Sequence, residues 1–380
     1  MRPGVDWKQK GQRGQKRPEE VLALFALFVL FASPPALQKR LDLFFSSSSS
    51  FLRGLDICPN VVGLDIEAAT RRDAEVGQRL PLIYWTGGIE TADSLKQAGV
   101  EQIATAPNSA AAWRKAGFKV VTVSQAELNR RNKLLTPRVA GRANVASATR
   151  RPWIDANGWR FVRDPAGKFY YDLPQGKAAM ALAEAFAYKA GAILKIDPAD
   201  LTEAGAMLAF IKNLPGEDYP PIADIGIVDD RSPETGEVIN LLTRRNLLFK
   251  IVPAPAPQFT VNIKLGSKDY PKTSAADPSE FAQKVRQRLG DENRGLRIYG
   301  TETVICRLTG DGSRARLHLL NYGGREADGL RVRLRGNYGR AEASAFGLGR
   351  TELQDYVNDE TATEFSIPKM GIYAVIDLIR

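Results

Sequence analysis

The strand–helix alternation that begins at Leu82 constrains this 380-residue chain more than any other feature. Leu82 to Trp85 is an apolar, strand-like run ending in Thr86-Gly87-Gly88, and ETADSLKQAG then reads as a helix closed by Gly99. EQIATAP followed by NSAAAWRKAG, and FKVVTVS followed by QAELNRRN, repeat the pattern. Strands separated by single helices become neighbours only when each helix carries the chain back across the sheet, so the strands run parallel with helices outside. Further units are expected at WIDANG and at AILKID, the second preceded by the alanine-rich helix GKAAMALAEAFAYKAG. About five strands fall short of the eight of a closed barrel. The expectation is an incomplete or degenerate (β/α) barrel-like domain over residues 61–215, with an open sheet as the alternative.

The flanks read differently. Residues 1–60 place basic residues from Arg2 to Arg17 ahead of the apolar run Val21 to Ala32, followed by small residues and the serine run Ser46 to Ser50. That is the order of a signal-like leader and a flexible linker, so an exported protein, periplasmic or extracellular, is expected; twelve apolar residues are few for a membrane span, so no integral membrane protein is expected after processing. LPGEDYPP, near Pro215, marks a boundary. IADIGIVDD, a helix with Ser232 as cap and Pro233 in its first turn, LFKIVPAP, and the helix Asp277 to Gly290 form a small three-layer α/β domain over 216–293. After Gly295 the period becomes two. TVICRLTGDGSRARLHLLNYGG is a hairpin turning at Asp311-Gly312, and GLRVRLRG sets Arg331, Arg333 and Arg335 opposite Val332 and Leu334. Residues 294–380 are expected to be an antiparallel β-sandwich.

Charge and scarce residues narrow the chemistry. The formal charge is +10, but past the leader the basic residues are scattered, which is a solvated surface and not a nucleic-acid footprint. One histidine, His318, on a strand, and two distant cysteines, Cys58 and Cys306, supply neither a Ser-His-Asp or Cys-His machine nor a metal-ligand pattern. No metal and no cofactor is expected, and any hydrolytic chemistry falls to carboxylates.

The terminal segments RARLHLLNYGG, GLRVRLRG and TEFSIPKMGIYAVIDL resemble the small β domains that close many multidomain glycoside hydrolases. IADIGIVDDRSPETGEVINLLTRRNLLFKIV looks like the glutamine-amidotransferase-like domain that some β-galactosidases place between a catalytic barrel and that β domain. The resemblance covers residues 80–380 and implies a glycoside-hydrolase-like protein with a carbohydrate ligand; a homo-oligomer is compatible with it. It carries over no catalytic residue, because no segment matches the galactosidases' acid/base motif. The middle domain has no elbow cysteine with a histidine partner, which argues for a scaffold role.

Groups at the carboxyl ends of parallel strands converge on the ligand in such folds. Asp155 and Asp197 fall at such ends and are the candidate catalytic pair, with Trp85, Trp153, Asn157, Trp159, Tyr170 and Lys195 as candidate substrate-binding residues. Each has a structural alternative. Asp197 before Pro198 can cap a helix, Asp155 in DANG can serve a turn, and the aromatics of WRFVRDPAGKFYY can cover a hairpin turning at Asp164-Pro165-Ala166-Gly167. Two readings stay open: a carboxylate-using glycosidase, and a non-catalytic carbohydrate-binding or envelope protein that kept the architecture.

Overall fold

The computed structural model describes residues 80–140, 152–216 and 219–380, all within one unit, Glu75–Arg380. The leader-like segment and the serine run lie outside the described residues. The first layer alternates as the sequence demands: β1 (Leu82–Tyr84), α1 (Ala92–Gln97), β2 (Gln102–Thr105), α2 (Ala110–Lys115), β3 (Lys119–Thr122), α3 (Gln125–Arg130) and β4 (Asn132–Lys133). Helix α3 begins where the Ser124 side chain accepts from the Glu127 amide. After β5 (Arg138–Ala140) and β6 (Trp153–Asp155) come α4 (Gly158–Arg163), β7 (Lys168–Asp172), α5 (Ala178–Ala187), β8 (Gly191–Lys195) and α6 (Leu201–Asn213).

Six of these strands form one parallel sheet in the order β3-β2-β1-β8-β7-β4. The first strand pairs with the last, as it does in a closed ring, but no ladder among the described residues joins β3 to β4. The sheet therefore has the strand order of a six-membered ring opened at one seam.

Two expectations fail here. WIDANG does not supply a strand to the parallel sheet: β6 pairs antiparallel with β5 in a separate two-stranded ribbon, with Arg138 opposite Asp155. The run WRFVRDPAGKFYY is not a hairpin, because Gly158–Arg163 closes into helix α4 before a turn in which the Gly167 amide bonds to the Asp164 carbonyl. The places in the sheet go instead to β4, two residues long, and to β7.

The second layer contains β9 (Ile225–Val228), α7 (Pro233–Arg244), β10 (Phe249–Ile251), β11 (Val261–Lys264) and α8 (Pro278–Leu289), with a parallel sheet in the order β10-β9-β11. Ser232 caps α7 and Asp277 caps α8, each with proline in the first turn. Asp229, at the carboxyl end of β9, is tied by two bonds of 2.8 and 2.9 Å to the Arg163 guanidinium, which also donates to the Ser232 carbonyl.

The last strands are β12 (Leu296–Tyr299), β13 (Val304–Gly310), β14 (Arg314–Asn321), β15 (Ala327–Arg335), β16 (Arg340–Ala345), β17 (Gly349–Thr351), β18 (Gln354–Asn358), β19 (Ala362–Met370) and β20 (Tyr373–Ile379). They make two antiparallel sheets, β12-β15-β19-β18 and β13-β14-β20-β16-β17, closing on a core of Leu308, Leu317, Leu319, Val332, Leu334, Phe365, Ile376 and their neighbours. The five-stranded sheet is apolar on its other face too: Ile305, Leu320, Tyr373 and Val375 join the core beneath the parallel sheet. That contact explains α5. Every one of its ten residues is buried, as expected of a helix held between two apolar layers, and six alanines let both layers come close.

Candidate functional site

In parallel strands, residues in register share a face. On one face of the parallel sheet, Ile83, Ile103, Leu194, Phe169 and Tyr171 pack into the large core with α5 and α6. The opposite face is covered by far less: its buried set is Tyr84, Ala104, Val123, Leu128 and Ile193, with Leu82 and Tyr170 half-buried at its edge. Register aligns a row across five strands near their carboxyl ends: Val121 beside Ala104, Tyr84, Lys195 and Asp172. A second row beneath it runs Leu82, Ile193, Tyr170, Lys133.

This open face combines aromatic surface with charge. The Lys195 ammonium sits 3.1 Å from the Asp172 carboxylate, and both side chains are about two-fifths exposed. Burial, with Asp172 and Tyr84 adjoining, pushes the Tyr170 phenol up to about 12, so it stays a neutral donor at any ordinary pH. Val121 is 39% exposed in the same row. Such a surface offers ring and apolar contact beside fixed donors and acceptors.

Of the residues expected from the sequence, Tyr170 and Lys195 lie on this face. Asp197 follows two residues after Lys195, and its carboxylate accepts from the Ala199 amide at 2.9 Å, capping a 3-10 turn over Pro198–Asp200. Trp85 turns to the other side, 4% exposed in the core, with its indole N–H on the Thr91 hydroxyl.

Asp155 is on the separate ribbon. Its two oxygens accept from Arg138 Nε at 3.1 Å and from the Trp153 indole at 3.2 Å, and the Trp153 ring is covered by the Arg244 guanidinium at 3.5 Å. No hydrogen bond or shared partner links Asp155 with Asp197 among the described residues. Trp159 is buried in the core of the second layer, with Arg160 over its ring at 4.4 Å. Asn157, fully buried, bonds to both backbone atoms of Leu135 and to Glu184, so it faces the interior and not a ligand surface.

Glu184 is the polar centre of that interior. It lies on α5, fully buried, and accepts from the Asn157 amide and side chain, the Tyr171 hydroxyl and the Tyr322 hydroxyl. Burial pushes its carboxyl up, and the four donors pull it only part of the way back. Tyr322 follows β14, so this carboxylate links the parallel layer to the β-sandwich.

His318 is buried against Tyr373, with Nδ1 2.7 Å from the hydroxyl, and burial and nearby arginines push its pKa well down, so the imidazole is neutral. Among the described residues no group of three His, Cys, Asp or Glu side chains is placed to hold a metal, and no helix is long and apolar enough to cross a membrane.

No family model matches the chain, and no curated protein matches it in sequence. Solved structures share parts of its shape. An α-L-fucosidase, isoenzyme 2 from Paenibacillus thiaminolyticus, aligns at 10% identity and a TM-score of 0.46, over 72% of this chain and 70% of the fucosidase. A GH42 β-galactosidase from G. stearothermophilus aligns at 9% identity and 0.32, over 79% of this chain and 60% of the galactosidase. A Thermotoga maritima α-fucosidase aligns at 12% identity and 0.22, over 77% and 78% of the two chains.

Tyr84, Asp172 and Lys133 are the site residues that sequence reasoning missed. A signal was present at one of them: KFYYD alternates, so once it is read as a strand, Tyr170 and Asp172 must share a face.

Proposed function

We propose that this protein binds a carbohydrate on the open face of its parallel sheet, as a binding protein built on a glycoside-hydrolase-like frame. The observation that carries the reading is the row Tyr84–Lys195–Asp172 above Ile193 and Tyr170, at the carboxyl ends of adjacent parallel strands, where Lys195, Asp172 and Tyr170 keep part of their surface exposed. Pyranose rings present apolar faces to aromatic side chains and hydroxyls to charged ones. Tyr170, half-buried at the edge of the face, supplies the first, and Asp172 and Lys195 accept and donate to the second. The resemblance of the domain order to multidomain glycoside hydrolases supports the same substrate class.

Binding is favoured over hydrolysis by how the acids are used. Cleavage by a carboxylate pair needs the two groups about 5 to 10 Å apart with the bond between them. Asp155 is bonded to Arg138 and Trp153, Asp197 holds a turn, and Asp172 faces Lys195. Export remains part of the proposal, resting on the leader-like segment.

Calorimetric titration with a panel of neutral oligosaccharides tests it, in the wild type, Tyr170→Ala and Lys195→Ala. At least one ligand should bind, and each substitution should weaken it about tenfold, worth ~1.4 kcal/mol. Turnover of aryl glycosides is measured in parallel with Asp155→Asn and Asp197→Asn. Activity abolished by either substitution would replace the binding reading with the enzymatic one, and failure of the whole panel to bind would remove it.

A further inference from the structure

The strands of the parallel sheet carry four lysines, Lys119, Lys133, Lys168 and Lys195, and a single acid, Asp172. Register and alternation put all five on the open face. Lys119 stands two residues before Val121 on β3, Lys133 is beside Tyr170, Lys168 is two residues before Tyr170 on β7, and Lys195 is beside Asp172. Asp172 answers only Lys195, at 3.1 Å. Lys119, Lys133 and Lys168 are exposed and have no ion pair among the described residues. The acids of neighbouring segments leave this unchanged: Asp197 accepts from the Ala199 amide, Glu127 of α3 pairs with Arg131, and no ion pair joins Asp164, in the turn before β7, to Lys168.

Three of these lysines surround one ring. Strands in a sheet lie ~4.8 Å apart and rise ~3.3 Å per residue. Lys133 therefore stands one strand away from Tyr170, Lys168 one side-chain step below it, and Lys195 on the diagonal above it, all with Cα atoms within about 8 Å of its own. With Asp172 engaged by Lys195, two positive charges are left beside the half-buried phenol. Like charges on neighbouring strands repel. A neutral saccharide leaves that repulsion in place, whereas an oxyanion on the sugar relieves it, and exposed ammonium groups on flexible stems can swing to meet one.

We propose that the carbohydrate taken by the open face is acidic, an oligosaccharide bearing carboxylate or sulfate groups, with a ring against Tyr170 and its oxyanions met by Lys133 and Lys168. Lys195 and Asp172, bonded to each other, are left to the hydroxyls. The proposal rests on the reading of this face as a carbohydrate site and adds to it the charge of the ligand.

The test is calorimetry on the full chain with trigalacturonate, its uncharged methyl ester, a sulfated galactose trimer and the peptide triglutamate. It is run on wild type, Tyr170→Ala, Lys133→Gln, Lys168→Gln and the double lysine variant. Both lysines are exposed, and thermal melting of each variant verifies that it is folded. Trigalacturonate should bind about tenfold more tightly than the ester, and that advantage should shrink as salt rises from about 0.05 to 0.5 M. Each single lysine substitution should weaken the acid about threefold and the double about tenfold, with the ester unchanged. Tighter binding of the sulfated trimer than of trigalacturonate would support the proposal with sulfate as the anionic group. Equal affinity for acid and ester, or lysine substitutions without effect on the charged saccharides, would overturn the acidic ligand and leave the carbohydrate site standing. Triglutamate binding as tightly as trigalacturonate, with Tyr170→Ala without effect, would overturn the carbohydrate reading beneath it, as would failure of every saccharide to bind at about 10 mM.

Discussion

Replacing Glu184 by glutamine isolates one buried charge, and the structure fixes the direction of its effect with pH. The folded carboxyl titrates above its ordinary value of 4.5 because burial outweighs four donors. The folded state therefore binds the proton more tightly than the unfolded chain does. Stability from this group is complete below the unfolded value and is lost as pH rises through the higher, folded value. Each unit of upward shift removes about 1.4 kcal/mol across that window. A glutamine amide does not titrate, so the substitution erases this slope.

The difference in unfolding free energy, wild type minus Glu184→Gln, should fall as pH climbs from the ordinary carboxylate range through the higher, folded value, and then level. Other titrating groups cancel in the difference, among them Asp230 and Asp291, whose carboxyls are held at about 2 by local hydrogen bonds. Urea unfolding at a series of pH values, followed by tryptophan fluorescence and circular dichroism, measures it. A difference that rises with pH would mean that Asn157, Tyr171 and Tyr322 together stabilise the anion more than burial penalises it, and the argument would be wrong.

Three further outcomes follow from particular contacts. Gly205→Ala drives a Cβ into the Ala98 carbonyl oxygen, a backbone atom, so α6 must move off α1; a loss of about 1–3 kcal/mol in urea unfolding is expected. Asp229→Ala leaves the Arg163 guanidinium without its main acceptor, the carboxylate being 1% exposed, and should cost about 3–5 kcal/mol in the same assay. Asp200→Ala removes the acceptor of the Gly176, Lys177 and Ala178 amides at the start of α5 and should lower stability by about 1–2 kcal/mol; an unchanged denaturation midpoint would show that water replaces the cap.

How much of the site was legible depends on the range of the interactions that build it. Lys195 and Tyr170 could be placed from local pattern, because a strand end is marked by its apolar run and the helix that follows. Asn157 and Trp159 could not, since an amide that bonds to Glu184, 27 residues on, is indistinguishable in sequence from one free to meet a hydroxyl. Asp155 was misplaced for the same reason: WID is strand-like in any sheet, and only pairing with Arg138–Ala140 decides which one. The two residues of β4 give no periodicity, and their place beside β7 is a nonlocal choice.

By itself, the sequence determined whatever rests on local backbone preference and burial period. That includes the parallel strand–helix run from Leu82, the Ser232 and Asp277 helix starts, the Asp311-Gly312 hairpin, and the alternation that buries Val332 and Leu334. Only the tertiary structure decided that β1 meets β8 while no ladder among the described residues joins β3 to β4, that α5 is buried on all sides, and that Glu184 joins two layers. Periodicity states that a face is apolar; it does not say which apolar face, elsewhere in the chain, will cover it. The opposite face keeps only the small cluster of Tyr84, Ala104, Val123, Ile193 and Leu128 of α3, because α5, α6 and the five-stranded sheet gather the large core on the other side.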